Sequence, residues 1–500
     1  MKPKIKKILV ANRGEIALRI IRTCKEMGIH TVAVYSDIDV DLPHVRFADE
    51  SHCLGGAPAR DSYLNQEALL NIASSSGVDA IHPGYGFLAE NAAFAKLVGE
   101  VGCKFIGPQP EEIKSLGDKS RAREVAASVG VPVVPGSPGT INSTEEAISS
   151  IQSIGYPVLL KAAAGGGGKG MRLVRREKDL EAAFSSSRAE AKSAFGDNRI
   201  FVEKYIDSPR HVEVQVLADE LGNVIHLGER ECSIQRRHQK IIEESPCIAL
   251  NEKQRSHLLD AALQIIVKAG YSNAGTLEFI LDEEGKFYFL EMNTRLQVEH
   301  PVTEFRTGID LVREQILVAE GKKLNLRQND IEFHGNAIEA RICAEDPSDD
   351  FAPCTGQLKF LQHPHGFGIR GEVGLEVGNV VSSYYDSLLA KLIVWGRTRP
   401  EALARLSAAL DSYRIFGVKN NLQLCQWVID HPKFRSGEFD THFLQEEFHP
   451  GVLPGASDRA LKVISALAAS HNFLSTSSGI VSGRKQMVSK WKLRSRDTLA

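Results

Sequence analysis

"GTLEFILDEEGKFYFLEMNTRLQVEHP", residues 275–301, sets two apolar-rich runs on either side of "DEEGK". Runs of this length, aromatic or branched at most positions and separated by a glycine-bearing turn, predict a β-hairpin. A two-residue loop at Glu284 and Gly285 puts 283 opposite 286, and counting outward puts Glu278 opposite Glu291. Like charges directly across a ladder destabilise it unless something positive lies between them. A divalent cation meets that need, and Asn293, two residues past Glu291 on the same face, adds a neutral oxygen. An all-oxygen set of Glu278, Glu291 and Asn293 suits magnesium or manganese. On the opposite face Leu277, Phe279 and Leu281, with Tyr288, Leu290 and Met292, read as core. The alternative, two solvated carboxylates on an exposed hairpin, fits poorly with such apolar strands.

Upstream, "YPVLLKAAAGGGGKGM" (156–171) places four successive glycines, a lysine, another glycine and a methionine after an apolar strand. Glycine costs conformational entropy on folding, so such a run marks a tight bend or a close approach to a ligand. It is not a P-loop: Ala163 stands where the first glycine belongs and Gly170 where the magnesium-binding hydroxyl belongs. "MRLVRR" then alternates like a strand, whereas a P-loop opens a helix. The run therefore joins two strands, either as a ligand-free hairpin or as a flap offering backbone N–H groups to phosphates.

The 500 residues correspond to about three domains, and 43% hydrophobic and 25% charged residues with a net charge of -3 describe a soluble globular chain with no bias toward nucleic acid. The eight cysteines are scattered without a C-x-x-C pair, which fits a reducing compartment, the cytoplasm or an organellar matrix. The basic N-terminus lacks a signal-peptide core, and no run approaches the ~18 apolar residues of a membrane span.

Along the chain "KKILVAN", "GEIALRIIRTCKEMG" and "HTVAVYS" read as strand, amphipathic helix and strand, and further alternation predicts an open parallel α/β sheet over 1–117. No G-x-G-x-x-G follows the first strand, which disfavours a dehydrogenase. Strands and hairpin signals dominate 118–334, and 335–450 mixes both element types, an α/β and α+β arrangement overall. Residues 451–500 carry eight Lys or Arg against two Asp. A docking surface for an acidic partner and a solvated tail both fit, though charge runs usually face water.

"YPVLLKAAAGGGGKGM" and "FLEMNTR" resemble the two signatures of the ATP-grasp ligases. With "ANRGEIALRI", "HPGYGFLAEN", "QRRHQK" and "RLQVEHPVTE" the chain resembles the biotin carboxylase family over residues 4 to about 450. The resemblance implies an N-terminal pre-ATP-grasp domain, an ATP-grasp domain with a lid at about 135–205, and a C-terminal biotin carboxylase domain. It implies ATP with Mg2+ or Mn2+, and bicarbonate converted to carboxyphosphate and then to carboxybiotin.

Roles follow position by position from that resemblance. Lys119 and Lys161 contact ATP phosphates, and Gly165, Gly166, Gly167, Gly168, Lys169, Gly170 and Met171 form the closing loop. Glu203 and Lys204 hold the adenine through their backbone, Ile206 lines its pocket, and His211, Gln235 and His238 match nucleotide-site positions. Arg295, Gln297 and the backbone of Val298 bind bicarbonate, Glu299 is its general base, and Lys240 neutralises the transferring phosphoryl group. Arg341 stabilises the enolate-like biotin, with Tyr85 and Asp386 near the biotin pocket.

Ala164 and Lys169 depart from residues common in the family, which should alter loop flexibility rather than abolish binding. No "AMKM"-like attachment motif is found, so biotin is expected on a separate biotin carboxyl carrier protein, with a carboxyltransferase subunit completing the reaction. "SKWKLRS" resembles the sequence following the carboxylase in longer subunits, and residues 455–500 are expected to dock a partner subunit. Similar chains form homodimers, with the first helix around Arg19 and Glu26 contributing to the contact. The final acceptor, an acyl-CoA or pyruvate, is not encoded here. Another ATP-grasp ligase would share the fold and metal pair without needing "RLQVEHP" or Arg341, and an ATP-binding module without turnover would not need Glu299 or Arg295.

Overall fold

In "KKILVAN" and "HTVAVYS" apolar residues follow one another without a polar break, as in strands buried on both faces. In the computed structural model, which describes residues 4–137, 139–162 and 171–453 (Phe195 without its side chain), these runs are β1 (Lys7–Val10) and β2 (His30–Ser36). With β3 (Glu50–Gly55), β4 (Ala80–His82) and β5 (Lys104–Phe105) they make a parallel sheet of order β3-β2-β1-β4-β5. Ile8 and Val10 point into one core and Leu9 into another. Helix α1 (Gly14–Glu26) lays Ile16, Ile20, Ile21 and Cys24 on the first of these cores and stops at Gly28, whose φ of 71° supplies the left-handed residue of a helix end.

The glycine-rich run joins β6 (Val158–Ala162) to β7 (Arg172–Val174), which pair antiparallel as the alternation in "MRLVRR" requires. β8 (Ile200–Lys204) pairs with the other side of β6, and two helices complete a small separate core that includes Ile151, Leu160, Phe184 and Val202. Ala164, Gly165 to Gly168, Lys169 and Gly170 lie outside the described residues, as do residues 454–500, which carry all the charges of the basic tail.

The largest sheet is antiparallel and eight-stranded. It begins with β13 (Phe287–Asn293), β12 (Asn273–Leu281), β9 (Arg210–Ala218), β10 (Val224–Arg236), β11 (Gln239–Ser245) and β14 (Asn336–Cys343), and the strands Leu388–Gly396 and Ile369–Val373 complete it. Val212, Val214 and Val216 of β9, with Leu277, Phe279 and Leu281 of β12, face a helix at Glu252–Ala269. The alternate positions His211, Glu213 and Gln215 of β9, with Thr276 and Glu278 of β12, are polar and point to the other side. β11 pairs with β14, so the hydrogen-bonded sheet continues across residue 334.

The hairpin reading is corrected in two respects. Leu281 pairs with Phe287, and Asp282 N–H donates to Lys286 O at 2.9 Å, which leaves a three-residue loop with Gly285 at φ 80° in place of the expected two-residue one. That longer loop shifts the register by one. A bulge at Leu290 shifts it back, since Phe279 pairs with Phe289 while Glu278 pairs with Glu291. The carboxylates therefore meet as expected, but between loop and bulge the faces are exchanged: Phe287 and Phe289 join the core, while Leu290 lines a cavity. Arg19 is 6% exposed and lies against Glu304 and Asp310, both at 2.8 Å.

Candidate active site

The polar face of the long sheet floors a cavity of about 900 Å³. Lys119, Lys161, Met171, Glu203, Lys204, Ile206, His211, Gln235, His238, Lys240, Glu278, Glu291, Asn293, Arg295, Gln297, Val298, Arg341, Tyr85 and Asp386 all line it, so segments far apart in the chain, from Tyr85 to Asp386, converge. Glu299 lies just behind the wall and is fully buried.

Lys240 occupies the centre of this floor. Its Nζ lies 2.6 Å from Glu299, 2.7 Å from Glu213 and 3.2 Å from Glu278. Burial disfavours its charge, but Cys232 and the three carboxylates around it outweigh burial and hold the ammonium well above its ordinary range. Glu213 is in turn fixed from beneath by the buried Arg230, which also donates to Gln215 and Thr303. A bulge at Ile241 in β11 brings Lys240 and Glu243, three residues apart, to one side of the sheet.

Arg341, on β14, donates to Glu299 at 2.9 Å and to Glu243 at 2.5 Å. Both oxygens of Glu299 are thus ion-paired. Burial would raise its carboxyl, yet Lys240, Arg341 and Arg230 hold it well below the usual carboxylate range. Burial carries Glu243 to about 7 against the opposing effect of Arg341. Glu339, directly across the ladder from Glu243, has no hydrogen-bond partner for either oxygen among the described residues, and burial pushes it upward too.

His211 Nε2 lies 3.2 Å from Glu278 on the side away from Lys240's contact, and Lys240 followed by His211 outweighs burial, so the Glu278 carboxyl is lowered. Glu291 pairs with Lys119 at 2.7 Å. Each of the two opposed carboxylates is therefore balanced by a lysine, which is the electrostatic demand expected of a cation site, and the oxygen donors fit magnesium. Asn293 offers its amide nitrogen to Glu278 at 3.0 Å, while its oxygen accepts from Arg295 at 2.9 Å.

The turn 294–299 is braced on both sides. Arg295 donates to Glu90 at 2.7 Å and to Gln297 at 3.1 Å, and Gln297 donates to Glu278 at 3.3 Å. Lys161 and Arg123 pair with Glu203, whose carboxyl is lowered by them despite burial. Lys204 turns its side chain away, to the carbonyls of Gly155 and Tyr156, and its N–H donates to Pro135 O at 2.7 Å. His238 sits with Arg237 in the two-residue turn between β10 and β11, both at positive φ (67° and 47°), and burial followed by Lys161 lowers its pKa. Asp386 is exposed at the rim, where it accepts from Leu388 N–H at 2.8 Å.

Sequence reasoning missed Glu90, Glu213, Arg230, Glu243, Lys391 and Glu15. The alternation "HVEVQV" (211–216) carried a signal for one of them, since His211, Glu213 and Gln215 share a face whose apolar counterparts are all valine.

Three family models match the chain: "Biotin carboxylase, N-terminal domain" over 4–113, "Carbamoyl-phosphate synthase L chain, ATP binding domain" over 118–327, and "Biotin carboxylase C-terminal domain" over 339–446. Biotin carboxylase 1 of Bacillus subtilis is 52% identical over 442 residues, covering 88% of this chain and 98% of that protein. The 2-oxoglutarate carboxylase small subunit of Hydrogenobacter thermophilus is 49% identical, covering 94% of this chain and 100% of that protein. The crystal structure of the biotin carboxylase domain dimer of the Hydrogenobacter carboxylase, in complex with MgADP, ADP and bicarbonate, superposes with a TM-score of 0.87 at 49% identity, over 91% of this chain and 100% of that one. The chain belongs to the biotin carboxylase family of ATP-grasp enzymes.

Proposed function

We propose that the protein carboxylates biotin borne on a separate carrier, using ATP and bicarbonate, as the first half-reaction of a multi-subunit carboxylase. The observation that carries this reading is the clamping of Glu299 between Lys240 and Arg341, beside the opposed pair Glu278 and Glu291. Lys119 and Lys161 would exchange their carboxylate partners for ATP phosphates, a task that suits compact ammonium charges. Magnesium held by Glu278, Glu291 and Asn293 would shield the terminal phosphates.

Arg295, Gln297 and the Val298 backbone orient bicarbonate beside Glu299. A carboxylate held by two cations is a weak base. Glu299 gains proton affinity when Lys240 turns to the incoming phosphoryl group, and this links base strength to the presence of nucleotide. Glu299 then takes the bicarbonate proton, and the freed oxygen bonds to the γ-phosphorus as its bond to the β,γ-bridging oxygen breaks, releasing ADP. Carboxyphosphate divides into CO2 and phosphate. The phosphate removes the ureido proton, Arg341 stabilises the negative ureido oxygen, and the nitrogen attacks CO2.

A homodimer, a biotin carboxyl carrier protein and a carboxyltransferase subunit belong to this reading, supported by the relatives' names and the dimeric neighbour. A cytoplasmic setting is supported by eight unpaired cysteines. No helix among the described residues is long and apolar enough to cross a membrane. Free biotin added to a bicarbonate-dependent ATPase assay tests the function. Biotin-stimulated ADP release with formation of carboxybiotin supports it, stimulation by another acceptor points to a sister ligase, and nucleotide binding without turnover removes catalysis altogether.

A further inference from the structure

Lys391 is fully buried, an expensive place for an ammonium group. It comes from the strand Leu388–Gly396, where its register partner on β14 is Arg341. Its Nζ donates to the carbonyl of Val298 at 2.8 Å, on the turn that carries Gln297 and Glu299. Its second neighbour is Glu15 in the first turn of α1, at 3.2 Å. The other oxygen of Glu15 receives the Tyr85 hydroxyl, and the Tyr85 ring lies 5.8 Å from Nζ. One ammonium therefore ties together three stretches far apart in sequence: the N-terminal helix with the Tyr85 loop, the 294–299 turn, and the C-terminal strand.

A backbone carbonyl gives an ammonium no reason to be buried unless holding that carbonyl matters, because an apolar side chain would fill the space at lower desolvation cost. The carbonyl held is that of the 298–299 peptide, which joins the residue whose backbone is proposed to bind bicarbonate to Glu299, so a tilt of that plane moves Glu299 directly and, through rotation about the Val298 backbone, the peptide before it. We propose that Lys391 is a positioning residue for bicarbonate, fixing the peptide of Val298 with Glu15 as its counter-charge. The proposal rests on the reading of 295–299 as the bicarbonate turn.

The test uses the full-length protein and three variants, with KM and kcat measured separately for bicarbonate, ATP and free biotin, together with thermal unfolding. Lys391→Met removes the donor at similar volume. A lost charged hydrogen bond predicts a bicarbonate KM raised about tenfold or more, with the ATP KM within about twofold. Lys391→Met also leaves Glu15 buried without its counter-charge, so its Tm should fall. The double variant Glu15→Gln/Lys391→Met removes that charge and should recover most of the Tm while the bicarbonate KM stays raised. An unchanged bicarbonate KM in Lys391→Met, or a KM restored along with stability in the double variant, overturns the proposal. Gln297→Ala separates the two readings. If it too leaves the bicarbonate KM unaltered, the assignment of the turn fails. If it raises that KM while Lys391→Met does not, only the role of Lys391 fails.

Discussion

Glu299 is ionised and has no free oxygen, because Lys240 takes one and Arg341 the other. Glu299→Gln keeps the shape of the side chain but cannot accept the bicarbonate proton. It should lower bicarbonate-dependent ATP cleavage by about 10²- to 10⁴-fold and leave nucleotide affinity nearly intact, as titration calorimetry can check. Full activity in the variant would remove Glu299 as base. Glu15 gives a pH signature of its own. Burial, opposed by Lys391, carries its pKa to about 7, above the unfolded carboxylate value, so the folded protein binds the extra proton between these limits. Stability from Glu15 is thus full below about 4.5 and is lost as pH rises through about 7. The unfolding free energy of the parent minus that of Glu15→Gln should fall over this window and level off above it; a difference independent of pH would contradict the assignment. The side chains proposed to react could be named from the sequence because their motifs are local. Lys391 and Glu15 could not, since an isolated lysine in "LLAKLIV" and a glutamate at a helix start look like ordinary surface charges until the fold buries both.

At the scale of elements, the hairpin 273–293 shows how two irregularities can cancel. The three-residue loop and the Leu290 bulge shift the register in opposite senses, and Glu278 still faces Glu291. Counting from the turn reached the right pair by a wrong route, because neither a bulge nor a loop length follows from alternation when almost every position is apolar. Gly285 is the hinge of this arrangement, at φ 80°. Gly285→Ala forces a Cβ into the left-handed region at a cost of about 1–2 kcal/mol, measurable by urea unfolding, with little effect on nucleotide affinity because the loop residues do not line the cavity. An unchanged midpoint would mean that the loop relaxes to another turn. The alternation of β9 was the more reliable signal, since valine at every second position leaves no doubt which face is polar.

For the molecule as a whole, the N-terminal α/β sheet, the two strands joined by the glycine-rich run and the general strand content were readable from pattern and period, but the third strand of that small unit and the way distant segments close on one another were not. Gly374 marks one such closure. A Cβ there would lie 2.4 Å from the backbone nitrogen of Glu15, and backbone cannot step aside as a side chain can. Gly374→Ala should cost about 1–3 kcal/mol of stability. It should also raise the bicarbonate KM in the same sense as Lys391→Met, because it displaces the helix that supplies the lysine's counter-charge. A stable variant with ordinary kinetics would show that this contact has no bearing on the site. The pairing of β11 with β14 has a different outcome for anyone wishing to divide the protein. Severing the chain after residue 334 would bare a row of unsatisfied amides and carbonyls along β11, open to any passing strand. The piece 4–334 should accordingly run as aggregates on a sizing column: the nucleotide half and its C-terminal neighbour were woven as one cloth, and a clean cut between them leaves a fraying hem.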